Sequence, residues 1–208
     1  MKIGIIGTGR MGTGLGQLWL ETGHGVLFGS RDPAKARAMA ESIGGKARGG
    51  SNADAAAFGE VVVLSVPGPT REPTLRALGA ALDGKILLDI TNVFGPDGGL
   101  LVGHTTSGAE QVQAWASRAR VVKAFNTIYF QNLDERPFGD QNASLFVCGD
   151  DADARAAVLR LGADIGFDPV DCGPLENARL LEPLALLWIR LAFQQGLGSK
   201  VAFKLLRR

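Results

Sequence analysis

Residues 1–16, MKIGIIGTGRMGTGLG, decide the fold of this chain. The apolar run at 2–7 ends at a glycine, as a buried strand does, and residues 11–22 then repeat apolar side chains at helical spacing. Between the two, residues 7–12 match the pattern G-x-G-x-x-G. Because the pattern lies between a predicted strand and a predicted helix, it indicates a turn that binds a dinucleotide.

Each glycine of this turn has a steric reason. Gly7 permits the tight turn, Gly9 lets the backbone approach a pyrophosphate, and Gly12 lets the helix lie close to the strand. The first turn of the helix leaves N–H groups unpaired, and these favour phosphate. The residues that we expect to bind the diphosphate are Gly7, Thr8, Gly9, Arg10, Met11 and Gly12.

The end of the second predicted strand selects between NAD and NADP. NAD sites carry an acidic residue there for the ribose 2′-hydroxyl, whereas this chain has Gly29, Ser30 and Arg31. Ser30 and Arg31 can donate hydrogen bonds to a 2′-phosphate, and Lys35 lies one helical turn further on. Asp32 would favour NAD if it reached the ribose, but Asp-Pro before an alanine-rich run is typical of a helix N-cap. The sequence therefore predicts NADP.

Strands and helices alternate along the rest of the chain. Further strands are predicted at 24–30, 60–67, 85–91, 120–127, 143–150 and 168–173. Further helices are predicted at 32–44, 51–59, 70–82, 107–117 and 151–165, and one or two helices at 175–204. The pattern predicts an α/β fold, a Rossmann-type doubly wound parallel sheet with a small C-terminal α/β lobe. A polar stretch holding Pro137 and Gly139 separates two predicted domains. Residues 1–130 are the NADP-binding domain, and residues 131–208 are the lobe, with the acceptor site at the junction and the dimer contacts.

Composition and charge exclude several classes of partner. The 208 residues carry a net charge of +1 and no Lys/Arg-rich run, so we expect no nucleic acid. The most apolar stretch, residues 180–193, holds Glu182, Pro183 and Arg190 and is too short to span a bilayer, so we expect no membrane. Two cysteines, Cys148 and Cys172, make no disulfide framework and indicate buried thiols of a cytoplasmic protein.

The residues that follow the predicted strands are mostly small and uncharged. In an open parallel sheet such positions line the ligand site. Here they include Ser65, Val66, Pro67, Asn92, Val93, Asn126 and Ile128. No metal-ligand spacing, no nucleophile with its base and no Tyr-x-x-x-Lys pattern accompanies them. His24 precedes the second strand, at the opposite end of the sheet, and is expected to be structural. His104 lies on the correct side but has no identifiable carboxylate partner.

The missing acid and base indicate the kind of acceptor. Reduction of a carbonyl needs a proton donor, whereas hydride transfer between a nicotinamide and a planar ring needs mainly stacking and positioning. The sequence therefore favours a second, small redox molecule as the acceptor and leaves the catalytic residues unknown.

Several segments resemble the coenzyme F420-dependent NADP oxidoreductase family over nearly the whole chain. They are IGIIGTGRMGTGLG, GSRDPAKA, VVVLSVP, KAFNTI, VCGDDADARAAV and DCGPLENARLLEPL. KAFNT and VCGD also resemble the soluble reductase domain of six-transmembrane metalloreductases. The resemblance implies a Rossmann domain with a small C-terminal lobe, NADP, hydride exchange with the deazaflavin F420, and a homodimer.

The resemblance also implies roles for individual positions. By this resemblance the pyrophosphate is bound by Thr8, Gly9, Arg10 and Met11, and the 2′-phosphate is bound by Ser30, Arg31 and Lys35. The nicotinamide half of NADP is contacted by Val66 and Val93, and the deazaflavin ring is contacted by Asn126 and Ile128. Members that use F420 read His-Thr-Ile-Pro where this chain has Asn126-Thr-Ile-Tyr129. The acceptor therefore stays open between F420, a flavin and another small molecule.

Two other functions stay open from the sequence. NADP-dependent dehydrogenases and imine reductases also fit GTGRMG, but they need a large helical half, for which only the segment after residue 130 remains. A sensor that binds NADPH without turnover would keep the same dinucleotide residues. The C-terminal helix carries Leu181, Leu184, Leu187, Trp188 and Leu191 near helical spacing, which predicts an apolar face that packs on a second subunit.

Overall fold

The computed structural model describes residues 1–133 and 137–208, and an eight-stranded sheet forms its centre. The strands are β1 (Lys2–Ile6), β2 (Gly25–Ser30), β3 (Arg48–Ser51), β4 (Val61–Leu64), β5 (Ile86–Asp89), β6 (Arg120–Lys123), β7 (Pro137–Phe138), β8 (Gln141–Asn142), β9 (Ser144–Gly149) and β10 (Asp168–Asp171). The helices are α1 (Arg10–Glu21), α2 (Pro33–Ile43), α3 (Asn52–Phe58), α4 (Arg71–Leu78), α5 (Gly108–Trp115), α6 (Ala152–Asp164) and α7 (Ala178–Ile189). Strands β7 and β8 form a separate small hairpin.

The strand order confirms the predicted Rossmann-type architecture. It runs β10-β9-β6-β5-β4-β1-β2-β3, and every pair from β3 to β6 is parallel. The order reverses between β1 and β4, which is where open α/β sheets bind their ligands. Strand β9 pairs antiparallel with β6, so the sheet is mostly but not wholly parallel. A parallel neighbour needs a crossover, usually a helix, and the described residues between β6 and β9 hold only a 3₁₀ turn and the β7–β8 hairpin.

The sequence signals for helix ends are confirmed at α2 and α4. Asp32 caps α2, since its carboxylate accepts hydrogen bonds from the backbone N–H groups of Ala34 and Lys35. Gly44 ends the same helix with a φ of 78°, a conformation that favours glycine. Pro73 lies in the first turn of α4, where its missing N–H breaks no helical hydrogen bond.

Two apolar cores cover the two faces of the sheet. One core joins Trp19 of α1 to Leu145 of β9 and Leu161 of α6, and the Trp19 indole donates a hydrogen bond to the Leu161 carbonyl over 3.0 Å. Because this core and the sheet run through the predicted boundary at residue 130, the two parts share one interior. The division into 1–130 and 131–208 stays a prediction.

The structure differs from the predicted elements at β3, at the β7–β8 hairpin and after α7. Strand β3 was not predicted, because its sequence, Arg-Gly-Gly-Ser, lacks an apolar run. The one or two helices predicted over 175–204 extend too far: α7 ends at Ile189, a π-turn follows to Gln194, and Gly196 and Gly198 then take φ values of 75° and 79°. The segment beyond returns to β9, where the Phe203 carbonyl accepts the N–H of Ser144. Within the described ranges, no helix is long and apolar enough to cross a membrane.

Candidate cofactor and acceptor site

A cleft of about 290 Å³ opens at the carboxyl ends of β1, β2 and β4. We call it the dinucleotide cleft. Its lining residues are Gly7, Thr8, Gly9, Ser30, Arg31, Lys35, Asn52, Ser65, Val66, Pro67, Thr70 and Thr74. The structure thus gathers most of the predicted dinucleotide residues from three separate strand ends.

The glycine turn has the geometry that its sequence predicts. Gly7 has a φ of 111°, and a Cβ there would lie 2.2 Å from the Ser65 carbonyl oxygen. A Cβ on Gly12 would lie 2.7 Å from the Ser65 hydroxyl, so glycine is what lets α1 lie against β4. A Cβ on Gly9 would meet nothing within 4 Å, which leaves its backbone open to a ligand.

The N-terminus of α1 faces this turn with unpaired amides. Gly9 is the N-cap and has no side chain to satisfy the first N–H groups, and the first turn holds no acidic residue. A twelve-residue helix that begins this way attracts a phosphate through its dipole and its free donors.

Cations lie where a 2′-phosphate would need them. Ser30, Arg31 and Lys35 share the rim of the cleft, and neither Arg31 nor Lys35 forms an ion pair within residues 1–133 and 137–208. Asp32, the one acid in this segment, is occupied as the cap of α2. The charge at this rim favours a phosphate over a bare ribose hydroxyl.

Three cleft residues were not predicted from the sequence: Asn52, Thr70 and Thr74. The Oδ1 atom of Asn52 is buried and accepts no hydrogen bond from any described residue. An amide oxygen that is buried without a donor costs about 1–3 kcal/mol, so a ligand that brings a donor would be favoured. Asn52 begins α3 directly after β3, and it was missed because β3 itself was missed.

A second cavity, of about 190 Å³, lies beyond β5 and β6 on the same edge of the sheet. We call it the acceptor pocket. It is lined by Asn92, Asn126, Thr127, Ile128, Tyr129, Ala185, Trp188, Ile189 and Phe193. Tyr129 stacks on Trp188 with ring centroids 5.1 Å apart, and Phe193 stands edge-on to both rings. Flat aromatic walls of this kind suit a planar ring.

Hydrogen bonds to backbone carbonyls fix the orientation of the Asn126 amide in this pocket. The Asn92 amide nitrogen must donate to the Asn126 carbonyl at 2.8 Å, which turns the Asn92 side-chain oxygen toward Asn126. The Asn126 amide nitrogen then donates to that oxygen at 3.2 Å and to the Leu181 carbonyl at 2.9 Å. Its own Oδ1 is left buried, without a donor among the residues described. Asn126 therefore lines the pocket with one hydrogen-bond acceptor that has no donor.

A buried charged cluster lies at the same strand ends and was not predicted. Lys123 at the end of β6 lies 2.9 Å from Asp89 of β5 and 3.0 Å from Glu182 of α7, and all three side chains are at most 1% exposed. Burial alone would lower the pKa of Lys123, but the two carboxylates outweigh it, so that pKa is raised and the lysine is charged. Charged residues inside the apolar runs KILLDIT and RVVKAF were the sequence signal for this cluster.

Four of the predicted site residues line neither cavity. Arg10 holds its guanidinium 4.1 Å from the centroid of the Phe130 ring, and Met11 lies partly buried against the core. Gly12 is buried against Ser65, and Val93 is 6% exposed beside Gly108. Arg10, Met11 and Gly12 still begin α1 at the glycine turn, so a backbone role for them stays a prediction.

The two histidines and the two cysteines line neither the dinucleotide cleft nor the acceptor pocket. His24 lies between the N-terminal amine of Met1 and the Asp164 carboxylate, each 3.1 Å away. His104 is exposed on a loop with a φ of 63°. Cys148 and Cys172 are free thiols, and burial raises the pKa of Cys148 to about 12, so it stays protonated at neutral pH.

A further cavity, of about 410 Å³, is a poorer candidate for the ligand site. It is open and lies at the amino ends of the strands, beside Gln17, His24 and Gly44. Ligands of open parallel sheets bind at the carboxyl ends, where both the dinucleotide cleft and the acceptor pocket lie.

Known proteins resemble this chain in sequence and in fold. The profile of the family "NADP oxidoreductase coenzyme F420-dependent" matches residues 2–93. The F420-dependent NADP reductase of Methanocaldococcus jannaschii is 33% identical over 220 residues, which cover 97% of this chain and 98% of that one. This chain belongs to the family of coenzyme F420-dependent NADP oxidoreductases. The predicted resemblance is confirmed, and the chain is an NADP-dependent oxidoreductase.

A solved structure extends the likeness to the whole fold. A protein of Arthrobacter sp. FB24, a candidate F420-dependent NADP reductase, is 34% identical and superposes with a TM-score of 0.89, with all of both chains covered. Metalloreductase STEAP3 of Rattus norvegicus is 33% identical over 190 residues. Those residues make up 89% of this chain but only 37% of the metalloreductase. This chain therefore corresponds to one part of that longer protein.

Proposed function

We propose that this chain transfers hydride between NADPH, held in the dinucleotide cleft, and a planar ring acceptor, coenzyme F420 or a flavin, held in the acceptor pocket. The observation that carries the proposal is the arrangement of the two sites. They lie on one edge of the sheet, and a Cβ on Gly68, next to Pro67 of the cleft, would lie 3.9 Å from the carbonyl oxygen of Asn92 in the pocket.

The cleft residues fit NADPH group by group. The open amides of α1 and the bare backbone of Gly9 suit the pyrophosphate. Ser30, Arg31 and Lys35 suit the 2′-phosphate by hydrogen bonding and charge. The buried Oδ1 of Asn52 can accept only from a donor, and the adenosine moiety carries such donors in its ribose hydroxyl and its amino group. Bound NADPH supplies the hydride.

The pocket residues fit a planar ring better than an alcohol or ketone. Among the described residues that line the acceptor pocket, the Tyr129 phenol is the one side chain that could transfer a proton, and its ring is stacked on Trp188. A carbonyl substrate needs a positioned proton donor, whereas a ring acceptor needs mainly to be stacked and oriented. Trp188 and Tyr129 offer the stacking surface, and the fixed Oδ1 of Asn126 offers an acceptor for a ring N–H.

The proposal is tested by the absorbance of NADPH at 340 nm after rapid mixing with F420, FMN or FAD, each offered separately. We expect fast oxidation with at least one of the three, and the one that reacts fastest identifies the acceptor class. Tight NADPH binding without oxidation by any of them would contradict the proposal. That result would favour a sensor or a dehydrogenase of another small substrate.

We also propose that the chain forms a homodimer through α7 and the turn that follows it. The predicted face is only partly free, because Leu181 and Trp188 pack in the interior at 5% and 4% exposure, whereas Leu187 is 47% exposed. The exposed apolar side chains beside it are Leu180, Phe193 and Leu197, at 67%, 54% and 59%. An apolar face of this kind is stabilised by a second copy. Light scattering at micromolar concentration should give twice the mass of the chain, and a monodisperse monomer would contradict the prediction. The two free thiols favour a cytoplasmic location.

A further inference from the structure

The buried cluster of Asp89, Lys123 and Glu182 lines neither the dinucleotide cleft nor the acceptor pocket. Its three side chains come from β5, β6 and α7, and they bring two negative charges and one positive charge into the protein interior. Buried charges are expensive unless each is paired and hydrogen-bonded, so the chain keeps this cluster at some cost in stability.

The second negative charge is balanced by a helix. The Glu182 carboxylate accepts the N–H of Gly108 at 2.8 Å and the N–H of Ala109 at 3.1 Å, which are the first two residues of α5. The partial positive charge of a helix N-terminus stabilises a carboxylate in this position. Glu182 therefore ties α7 to the start of α5 and, through Lys123, to the end of β6.

Few other interactions hold the first turns of helix α7 in place. It has no side-chain N-cap, and Pro183 cannot donate the backbone hydrogen bond of its position. A second ion pair joins the same two helices, from Arg179 of α7 to Glu110 of α5 at 2.6 Å, but both of its side chains are about a quarter exposed. The buried tether at Glu182 is thus the stiffer of the two.

Both walls of the acceptor pocket are joined to this tether. Leu181, next to Glu182, gives its carbonyl to the Asn126 amide, and Ala185, one helical turn on, lines the pocket. On the opposite wall, Lys123 donates to the Thr91 carbonyl at 2.5 Å, and Asn92 follows directly in the chain. A shift of Glu182 would therefore move the groups that orient the acceptor.

We propose that Glu182 is a positioning residue for the hydride acceptor: by bridging Lys123 and the N-terminus of α5, it holds α7 and the Asn126 amide in register with the strand ends. It acts through Asn126 and Trp188 and touches neither NADPH nor the acceptor. The inference rests on the proposed function of the acceptor pocket.

The test compares Glu182→Gln with Glu110→Gln in the full-length protein. Each variant removes one carboxylate that joins α5 to α7, but only Glu182 lies at the strand ends, whereas Glu110 does not. We expect Glu182→Gln to raise the KM for the acceptor about tenfold or more, because small misplacements of reacting groups are costly. The Kd for NADPH, measured by fluorescence titration without turnover, should change less than about twofold. Glu110→Gln should leave both constants unchanged.

Three outcomes would overturn the proposal. A folded Glu182→Gln with unchanged acceptor KM, an equal loss in NADPH and acceptor binding, or the same acceptor effect in Glu110→Gln would each leave Glu182 a purely structural residue. If Glu182→Gln does not fold, Glu182→Asp, which keeps the charge but shortens its reach, carries the same comparison. Failure of the proposed function itself is seen earlier, as no turnover by the unaltered protein with any acceptor.

Discussion

Replacing Arg31 by alanine weakens NADPH binding by about one to two orders of magnitude and leaves NADH binding nearly unchanged. The expected size follows from one or two charge-assisted hydrogen bonds to a phosphate. NADH lacks the 2′-phosphate, so it has nothing to lose when the guanidinium is removed. The measurement is a fluorescence titration of both nucleotides with both proteins.

Arg37 provides the matched control for Arg31. It is exposed on α2, the helix that begins two residues after Arg31, and it does not line the dinucleotide cleft, yet Arg37→Ala removes the same charge. We expect Arg37→Ala to bind both nucleotides as the unaltered protein does. Equal losses of NADPH and NADH affinity in Arg31→Ala would contradict our account of residues 30–35.

Replacing Asn126 by alanine lowers kcat/KM for the acceptor about tenfold or more, while the Kd for NADPH changes less than about twofold. The substitution removes the Oδ1 acceptor of a residue that lines the pocket and leaves the Leu181 carbonyl without its donor. The lost hydrogen bonds also lower the free energy of unfolding, by about 1–3 kcal/mol. The measurements are steady-state kinetics, NADPH titration and denaturant unfolding.

Asn132→Ala separates the loss of stability from the loss of function. Asn132 is buried to the same degree as Asn126, at 5% and 6% exposure, and its amide donates to the Val201 carbonyl outside the acceptor pocket. We expect Asn132→Ala to lose stability but keep its kcat/KM. If Asn126→Ala instead weakens NADPH as much as the acceptor, Asn126 serves the dinucleotide.

The dinucleotide half of the site could be predicted from the sequence because its signals are local. Gly7, Gly9 and Gly12 follow one strand within six residues, and Asp32 and Pro33 show where α2 begins. Each of these signals lies within a few residues of the strand or helix that it ends or begins, so spacing alone predicts it. The same holds for the strands, whose apolar runs are short and closely punctuated by glycine and proline.

The acceptor half could not be predicted in the same way, because its parts meet only in the folded chain. Asn126 and Leu181 are 55 residues apart, and Lys123 reaches both Asp89 and Glu182. Glu182 was visible in the sequence only as a charge that argued against a membrane span. Asn52 was not predicted as a site residue because it follows β3, and the two glycines of β3 gave no strand signal in the sequence. When buried polar groups pair across long distances in the chain, they produce no periodic pattern in the sequence.

The most direct test of the central claim is a single turnover of NADPH that carries deuterium at either face of its C4 position, with the acceptor that reacts fastest. The account predicts that oxidation slows for one of the two labelled faces and not for the other, since NADPH in the cleft presents one face to the acceptor pocket. Asn126→Ala should keep the same facial preference at a lower rate. Oxidation that is insensitive to both labels, or absent with every ring acceptor while NADPH still binds, would contradict hydride transfer at this site.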